Sequence, residues 1–388
     1  MKEETKMSDS VLDAMTKNHS FWQYKYGTYT ANGLLPKGEY QADVLIVGAG
    51  FTGLTAAREI LSDTPEKKVM VVDANEIGFG ASGRNGGFNM TLFGMEPETT
   101  VMRWGKKRAR EAQRYMQKAV AFVHSLIENE NLDSDYEHTG MWRVAYSDSQ
   151  EKRLKKTYAL LTDLAKPNSY EFYDQSKVRK KLNAPQVKAA IYEPETGILD
   201  PCKHVRALKQ LAENAGAEIY ENTAVIDIRK ASNGTVVKTN QAQIHAKKLI
   251  LATNAWSHTL AGPKKIRNRQ RPVWTYQVVS DPLTEEEWQA LGWQDRMSIE
   301  DNRQLVHYLR ITKCGRITMG GGNIGYEYGK GMEKWHDPKI WQALEEHFHW
   351  LFPTLKHKKI HYKWGGAVSV NFDMVPEIGF IGDENIIY

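Results

Sequence analysis

Cysteine is scarce in this 388-residue chain: Cys202 and Cys314 stand far apart, with no CxxC pair and no zinc-type spacing. That pattern excludes a disulfide framework and a metal knuckle and implies two free thiols. Long apolar runs are also missing, and the opening stretch MKEETKMSDSVLDAM mixes charges with isolated apolar residues, unlike a signal-peptide core. A cytoplasmic protein without a membrane span is therefore expected. No excess of one charge sign exists either: 52 basic against 47 acidic residues give a net charge of +5, and the basic residues are scattered among acids, which argues against a nucleic-acid partner. The densest basic cluster, Arg103 to Arg110, opens a pattern in which Ala112, Met116, Ala119, Val120, Val123 and Ile127 recur at helical spacing, so it reads as a solvated helix face or a docking site for an acidic partner. Repeats and low-complexity segments are absent, and no feature fixes an oligomeric state.

What remains is a chain with 41% apolar residues, long enough to bury the cores of two domains. Residues up to about 40 read as an N-terminal arm with an aromatic anchor, Ser20-Phe21-Trp22-Gln23-Tyr24. From Asp43 the pattern is β-α-β: a strand over Val44–Val47, a helix over Phe51–Leu61 and a strand over Val69–Val72 ending on Asp73. A strand follows at Met141–Tyr146, polar helical patterns at Tyr158–Asn183, a helix at Lys203–Ala215, and strands at Glu218–Tyr220, Ala224–Ile228, Val236–Lys238 and Lys248–Ala252. Segments 271–283 and 306–319, rich in β-branched and aromatic residues, suggest an antiparallel sheet. The expected fold class is α/β, α+β over the whole chain. A Rossmann-like dinucleotide-binding domain takes residues 41–135, 200–256 and 363–388, and an antiparallel-sheet substrate domain takes 136–199 and 257–362.

Gly48-x-Gly50-x-x-Gly53 follows a strand and opens a helix, with Asp73 at the end of the next strand. The first glycine allows the tight turn, the second admits the pyrophosphate, and the third lets the helix pack close to the strand, while helix N-terminal amides bind phosphate. Asp73 reads as the acceptor for a ribose hydroxyl, or as an exposed acid at a strand end. A second formal match, Gly320-x-Gly322-x-x-Gly325, lacks a following apolar helix and reads as a sheet bend or a close approach to a ligand.

The glycine-rich stretch GFGASGRNGGF, residues 78–88, suits a backbone lying against a flat ring, or a surface loop. Taken in order, DVLIVGAGFTGLTAA, VVDANEIGFGASGRNGGF, GILDP, LILATNAW and HYKWGGAVSVNFDMVPEIGFIG resemble the D-amino-acid-oxidase-like family of FAD-dependent amine and amino-acid oxidoreductases, over nearly the whole chain. ASGRNGG and RPVWTYQVVSDPL are most similar to its γ-glutamylputrescine oxidase branch. The resemblance implies FAD, its ADP half held by Gly48, Ala49, Gly50, Gly53 and Asp73. It also implies that Ala81, Ser82, Arg84, Asn85, Gly86 and Gly87 run beside the isoalloxazine, that Val225 touches adenine, and that Thr253, Asn254 and Trp256 close the site.

Family chemistry implies hydride transfer from the α-carbon of a neutral amine to flavin N5, with hydrolysis of the imine afterwards. Arg84 is the candidate for stabilising the reduced flavin's negative charge, or a structural arginine tying loop carbonyls. Trp274, Tyr276, His307, Tyr308 and Arg310 lie on two strands expected to roof a pocket for a small-molecule amine, with core packing the alternative for the aromatics and the outer strand face for Arg310. His347, His349, His357 and His361 have no recognisable ligand spacing, and no metal is expected. Two departures from the family matter. Ser369 stands where sarcosine-oxidase-like members carry the cysteine that bonds flavin, so attachment should be noncovalent. The oxygen-activating lysine of those members is replaced in its segment by Tyr326 and Tyr328, with a lysine only at Lys330. Two alternatives stay open: a dehydrogenase passing electrons to a quinone or carrier, and a flavin-fold protein without turnover that partners another protein. In the family the final strand leads into a glycine-rich stretch and a helix facing the flavin. This chain stops at PEIGFIGDENIIY, so weak FAD retention is expected.

Overall fold

The computed structural model describes residues 14, 15, 17–262, 269–327, 331–382 and 384–388. The first thirteen residues of the expected arm, and Tyr328 and Lys330, lie outside the described residues.

Val44–Val47 forms a buried strand because it runs in the middle of a sheet covered on both faces, where no position needs to be polar. Successive residues face opposite layers. Val44 and Ile46 pack with Leu54, Ala57 and Leu61 of the helix Phe51–Asp63 and with Val205 and Leu208 of the helix Pro201–Asn214. Leu45 and Val47 pack with Ile244, Leu249 and Val237 on the other side. This seven-stranded sheet has the order Glu218–Tyr220, Val69–Val72, Gly38–Val47, Ala242–Leu251, Gly234–Thr239, Val225–Ala231, and Ile386–Ile387 adds parallel to Ala242–Leu251. The strands 38–47, 69–72, 218–220 and 242–251 are mutually parallel, as the β-α-β reading requires.

Eight strands form the second sheet, in the order Ile360–Asn371, Gln270–Ser280, Ile317–Gly321, His307–Ile311, Ser298–Asp301, Met141–Ala145, Ala189–Glu193, Glu171–Asp174. Its pairs are antiparallel except Ser298–Asp301 with Met141–Ala145. The helix Pro338–Leu351 packs Trp341, Leu344 and Phe348 onto a core that includes Trp274, Tyr276 and Met319. The α/β class with an antiparallel second sheet is thus as expected.

Two expectations are corrected and a third is refined. The strand Ile360–Asn371, assigned from residue 363 to the cofactor-binding unit, pairs along its length with Gln270–Ser280 in the second sheet, so only the last residues of the chain join the first. The helical pattern expected over Tyr158–Asn183 is a helix Asp148–Leu164, a strand Glu171–Asp174 and a short helix Gln175–Arg179. Pro167 biases Lys166 away from helix, and Asn168 turns the chain at φ 61. The basic cluster opens only the second of two helical stretches: a first begins at Pro97 and ends in a break at Gly105, φ 78, inside the cluster, and the stretch with Ala112 to Ile127 follows it. Among the described residues no helix is long and apolar enough to cross a membrane. Cys202 is buried, Cys314 exposed, and both are free.

The arm anchor docks as expected. Ser20 caps a helix Phe21–Tyr26 in a reciprocal box with Gln23. Phe21 and Trp22 pack with Cys202, Val279, Tyr362 and Trp364, which joins the arm to both parts of the molecule.

Candidate active site at the carboxyl ends of the parallel strands

A cleft of about 320 Å³ opens where the parallel strands end, the usual ligand position in such sheets. Its floor is the turn after Val47. Gly48 has φ +104, and a Cβ there would sit 2.5 Å from the Ala252 carbonyl oxygen. At Gly53 a Cβ would sit 1.9 Å from the Gly48 carbonyl oxygen, which is the close helix–strand contact the third glycine was expected to permit. Gly50 is the N-cap of the helix and offers no capping side chain. The Phe51 amide donates instead to Ser82 Oγ at 2.9 Å, so the glycine-rich loop is tied to the helix N-terminus. A helix start with its first amide so used and Thr52 on the cleft wall suits a pyrophosphate.

Gly48, Ala49, Gly50, Asp73, Ala81, Ser82, Val225, Thr253, Asn254 and Trp256 all line this cleft, together with Thr52, Phe79, Thr223 and Leu260, which sequence reasoning did not single out. A second cleft of about 550 Å³ shares Thr52, Ala252 and Asn254 with the first and continues past Gln270, Ser369 and Asn371 to Arg269, Glu377 and Tyr388. The two make one groove from the first sheet to the edge of the second. Ser369 lines it, its amide accepted by Asn254 Oδ1 and its hydroxyl by Gln270 Oε1, so the position that resembles the flavin-bonding cysteine lies in the same groove as the glycine turn. The residues present therefore fit an elongated dinucleotide, Gly48 to Gly50 and Asp73 holding one end and residues 78–82 and 253–256 its middle.

Asp73 accepts from the Ala49 amide at 2.8 Å and from the Asn75 amide at 2.9 Å. Burial pushes its carboxyl up to about 6, against the pull of those two amides. An ionised carboxylate is the better acceptor for ribose hydroxyls, and bound FAD would favour that form. FAD affinity should therefore rise with pH up to about 6 and level off above it, about tenfold weaker at pH 5 than at pH 7. Fluorescence titration of the apoprotein at both pH values checks this, and Asp73→Asn should flatten the profile. Equal wild-type affinities at the two pH values would contradict the role.

The other half of the loop does not line the groove. Asn85 Nδ2 donates to the carbonyls of Ala81 and Ser82, and its Oδ1 accepts from the Gly87 amide. Gly87 sits at φ +74 with its Cβ direction blocked by the Leu199 carbonyl. Arg84 is 2% exposed, its guanidinium 4.8 Å from the Phe79 ring and 4.7 Å from the Trp335 ring. Its Nε donates to the Phe79 carbonyl and its Nη1 to the Gly365 carbonyl at 3.0 Å, and Nη2 has no partner among the described residues. Burial pulls its pKa down to about 9, which leaves it charged at neutral pH. The cation lies behind the Phe79 wall, with no acid paired to it among the described ion pairs.

The five residues expected to roof a substrate pocket do not converge. Trp274 and Tyr276 are wholly buried in the core of the second sheet, where Tyr276 donates to the Lys334 carbonyl. Tyr308 packs edge-on against Phe88. Arg310 is corrected most sharply. It faces neither a substrate nor the outside, because Nε donates to the Gly86 carbonyl and Nη2 to the Leu199 carbonyl, each at 2.6 Å, so both donors that would grip a carboxylate hold backbone instead. His307 stands in a separate cluster, with ligand atoms of Asp301, His307 and His347 within 4.8 Å of one another. Arg303 donates there to Asp301 Oδ2 at 2.5 Å and to His347 Nε2 at 2.8 Å, so a guanidinium fills the place of a cation. His349, His357 and His361 each bond elsewhere, to the Lys358 carbonyl, Glu287 and Asp281. The second GxGxxG is a bend: Gly321 and Gly322 have φ +91 and +70 at a strand end, and Gly325 pairs with Trp274.

The sequence profile of the FAD dependent oxidoreductase family matches residues 43–388. Over 347 residues the chain is 27% identical to γ-glutamylputrescine oxidoreductase of Escherichia coli, covering 89% of this chain and 78% of that protein. It is 24% identical over 375 residues to the sarcosine oxidase β subunit of Rhodobacter capsulatus, covering 95% and 82%. Among solved structures, glycine oxidase from Geobacillus kaustophilus superposes with a TM-score of 0.72 at 20% identity, covering 90% of this chain and 88% of that one. L-Proline dehydrogenase from P. horikoshii gives 0.72 at 22%, covering 91% and 88%.

Proposed function

The chain belongs to the FAD dependent oxidoreductase family, and from that premise we propose that it oxidises the carbon–nitrogen bond of an amine or amino acid, with a γ-glutamylputrescine-like compound as the first substrate to try and oxygen as the acceptor. The observation that carries this reading is the single groove: a nucleotide-binding turn at one end and, at the other, a polar stretch of Gln270, Ser369 and Asn371 at the edge of the second sheet.

Bound FAD supplies the hydride acceptor. The protein's part is position and charge. Gly48, Gly50 and the helix start at Phe51 fix the phosphates, and Asp73 fixes the ribose. Phe79 and Trp256 give the groove apolar walls that exclude water. Arg84, a buried cation without a paired acid, favours negative charge developing in front of it. The thioether of the covalent relatives is not available to Ser369, so the cofactor is held noncovalently. Two free cysteines agree with a cytoplasmic setting.

The test is aerobic turnover of purified protein with γ-glutamylputrescine, putrescine, sarcosine, glycine and proline. Oxygen consumed with equimolar hydrogen peroxide and carbonyl product is the expected result. Product formed only when a quinone or dye is added would make it a dehydrogenase, and no product with any amine would overturn the assignment.

A further inference from the structure

The N-terminal arm bonds to the backbone of the cofactor loop through residues that do not themselves line the groove. Gln23 Nε2 donates to the Gly78 carbonyl at 3.1 Å, Ser20 Oγ to the Gly83 carbonyl at 2.7 Å, and Trp22 Nε1 to the Asn85 carbonyl at 2.9 Å. Three carbonyls of one loop are thus held by the start of one six-residue helix and its N-cap. Trp22 also lies 4.7 Å beneath the Arg310 guanidinium, which itself holds the Gly86 carbonyl. Farther along the arm, the wholly buried Glu221 accepts from the amides of Asn32 and Ile77, so the arm and the start of the loop share one carboxylate. Thr223, which lines the groove, accepts from the Leu35 amide.

A peptide plane held by its carbonyl has its N–H fixed on the opposite side. The plane between Asn85 and Gly86 is held in this way by Trp22, and the buried Gly86 amide has no partner among the described residues. Buried amides are rarely left unpaired without a ligand or water to meet them. The glycine content that lets this loop approach a flat ring also leaves it without side chains to fix its own planes, and the arm supplies that rigidity.

We propose that residues 20–35 are a positioning clamp for the cofactor loop, and that the side-chain donors of Trp22 and Gln23, by holding the loop at Gly78 and Asn85, set how tightly and in what environment its groove-lining part, residues 78–82, meets FAD. The inference depends on FAD as the cofactor and not on which amine is oxidised.

The test uses the full chain. Trp22→Phe with Gln23→Met removes two donors and, with them, the Gln23 side chain's half of the Ser20 box, and keeps the ring against Arg310 and the bond from the residue-23 amide to Ser20 Oγ. Its FAD dissociation constant should rise about tenfold, and at saturating FAD the visible band of the bound flavin should shift and lose fine structure. Phe21→Leu, which loosens the packing on Tyr362 and Trp364 without touching a loop carbonyl, should lower the melting temperature and leave FAD affinity and spectrum unchanged. If the double variant does not fold, Trp22→Phe alone carries the test with about a threefold weakening. Wild-type affinity and spectrum in the folded donor variant would overturn the proposal. So would an equal loss of affinity in Phe21→Leu, since the arm would then act only through general stability.

Discussion

Gly53→Ala should yield a chain that no longer copurifies with flavin and melts well below the wild type. The added Cβ would lie 1.9 Å from the Gly48 carbonyl oxygen and 3.2 Å from Ile46 Cγ2, and neither neighbour is a flexible side-chain end free to move aside. Relief requires the helix Phe51–Asp63 to lift off the strand Gly38–Val47. Gly48 itself lies in a tight place, at φ +104 with no room for a Cβ beside the Ala252 carbonyl, and its amide is bonded to the Val72 carbonyl. Overpacking of this kind costs on the order of 3 kcal/mol, and the displaced helix start carries away the amides that would face the pyrophosphate. Gly33→Ala, in the arm with nothing within 4 Å of its Cβ direction, is the matched control and should be neutral. Calorimetry and the flavin content of purified protein measure both. A yellow Gly53→Ala protein with the wild-type melting temperature would show that the helix and turn are not in tight contact.

Arg84→Met should slow flavin reduction at saturating substrate by about tenfold to a hundredfold and make the flavin harder to reduce, with Arg84→Lys in between. Methionine retains the stem between Phe79 and Trp335 but not the charge. The change in stability should be modest. Donors to the Phe79 and Gly365 carbonyls are lost, at about 1 kcal/mol each, and removing a buried cation that has no counter-ion offsets part of this. Stopped-flow reduction and the midpoint potential separate the two roles that the sequence leaves open for this residue. Wild-type values of both in Arg84→Met would make it purely architectural.

The parts of the molecule legible in sequence are those built by local rules. Val44–Val47 and Val69–Val72 are apolar runs of strand length, the glycine spacing fixes the turn between the first strand and its helix, and Asp200 before Pro201 marks a helix start, where it accepts from the amides of Cys202 and Lys203. The set of residues lining the cleft at the strand ends was readable for the same reason, since they come from segments whose order along the chain is itself a pattern. The substrate side was not. Aromatic residues on the strands Gln270–Ser280 and His307–Ile311 have the same composition whether they face a pocket or a core, and the helix Pro338–Leu351 covering Trp274 and Tyr276 decides for the core. Arg310 shows a second limit: the carbonyls of Gly86 and Leu199 that claim its donors are remote in sequence and carry no side-chain signal. Trp335 and Glu221, which hold Arg84 and the arm, sit in stretches with no motif.

The most direct test of amine oxidation on FAD is anaerobic mixing of the FAD-loaded protein with a panel of amines and amino acids while the visible flavin band is followed. At least one amine should bleach the band completely, at a rate that saturates with its concentration, and the protein should release the corresponding aldehyde or 2-oxo acid in an amount equal to the flavin reduced. A band that stays oxidised with every amine, in a protein that dithionite still reduces, would contradict that chemistry.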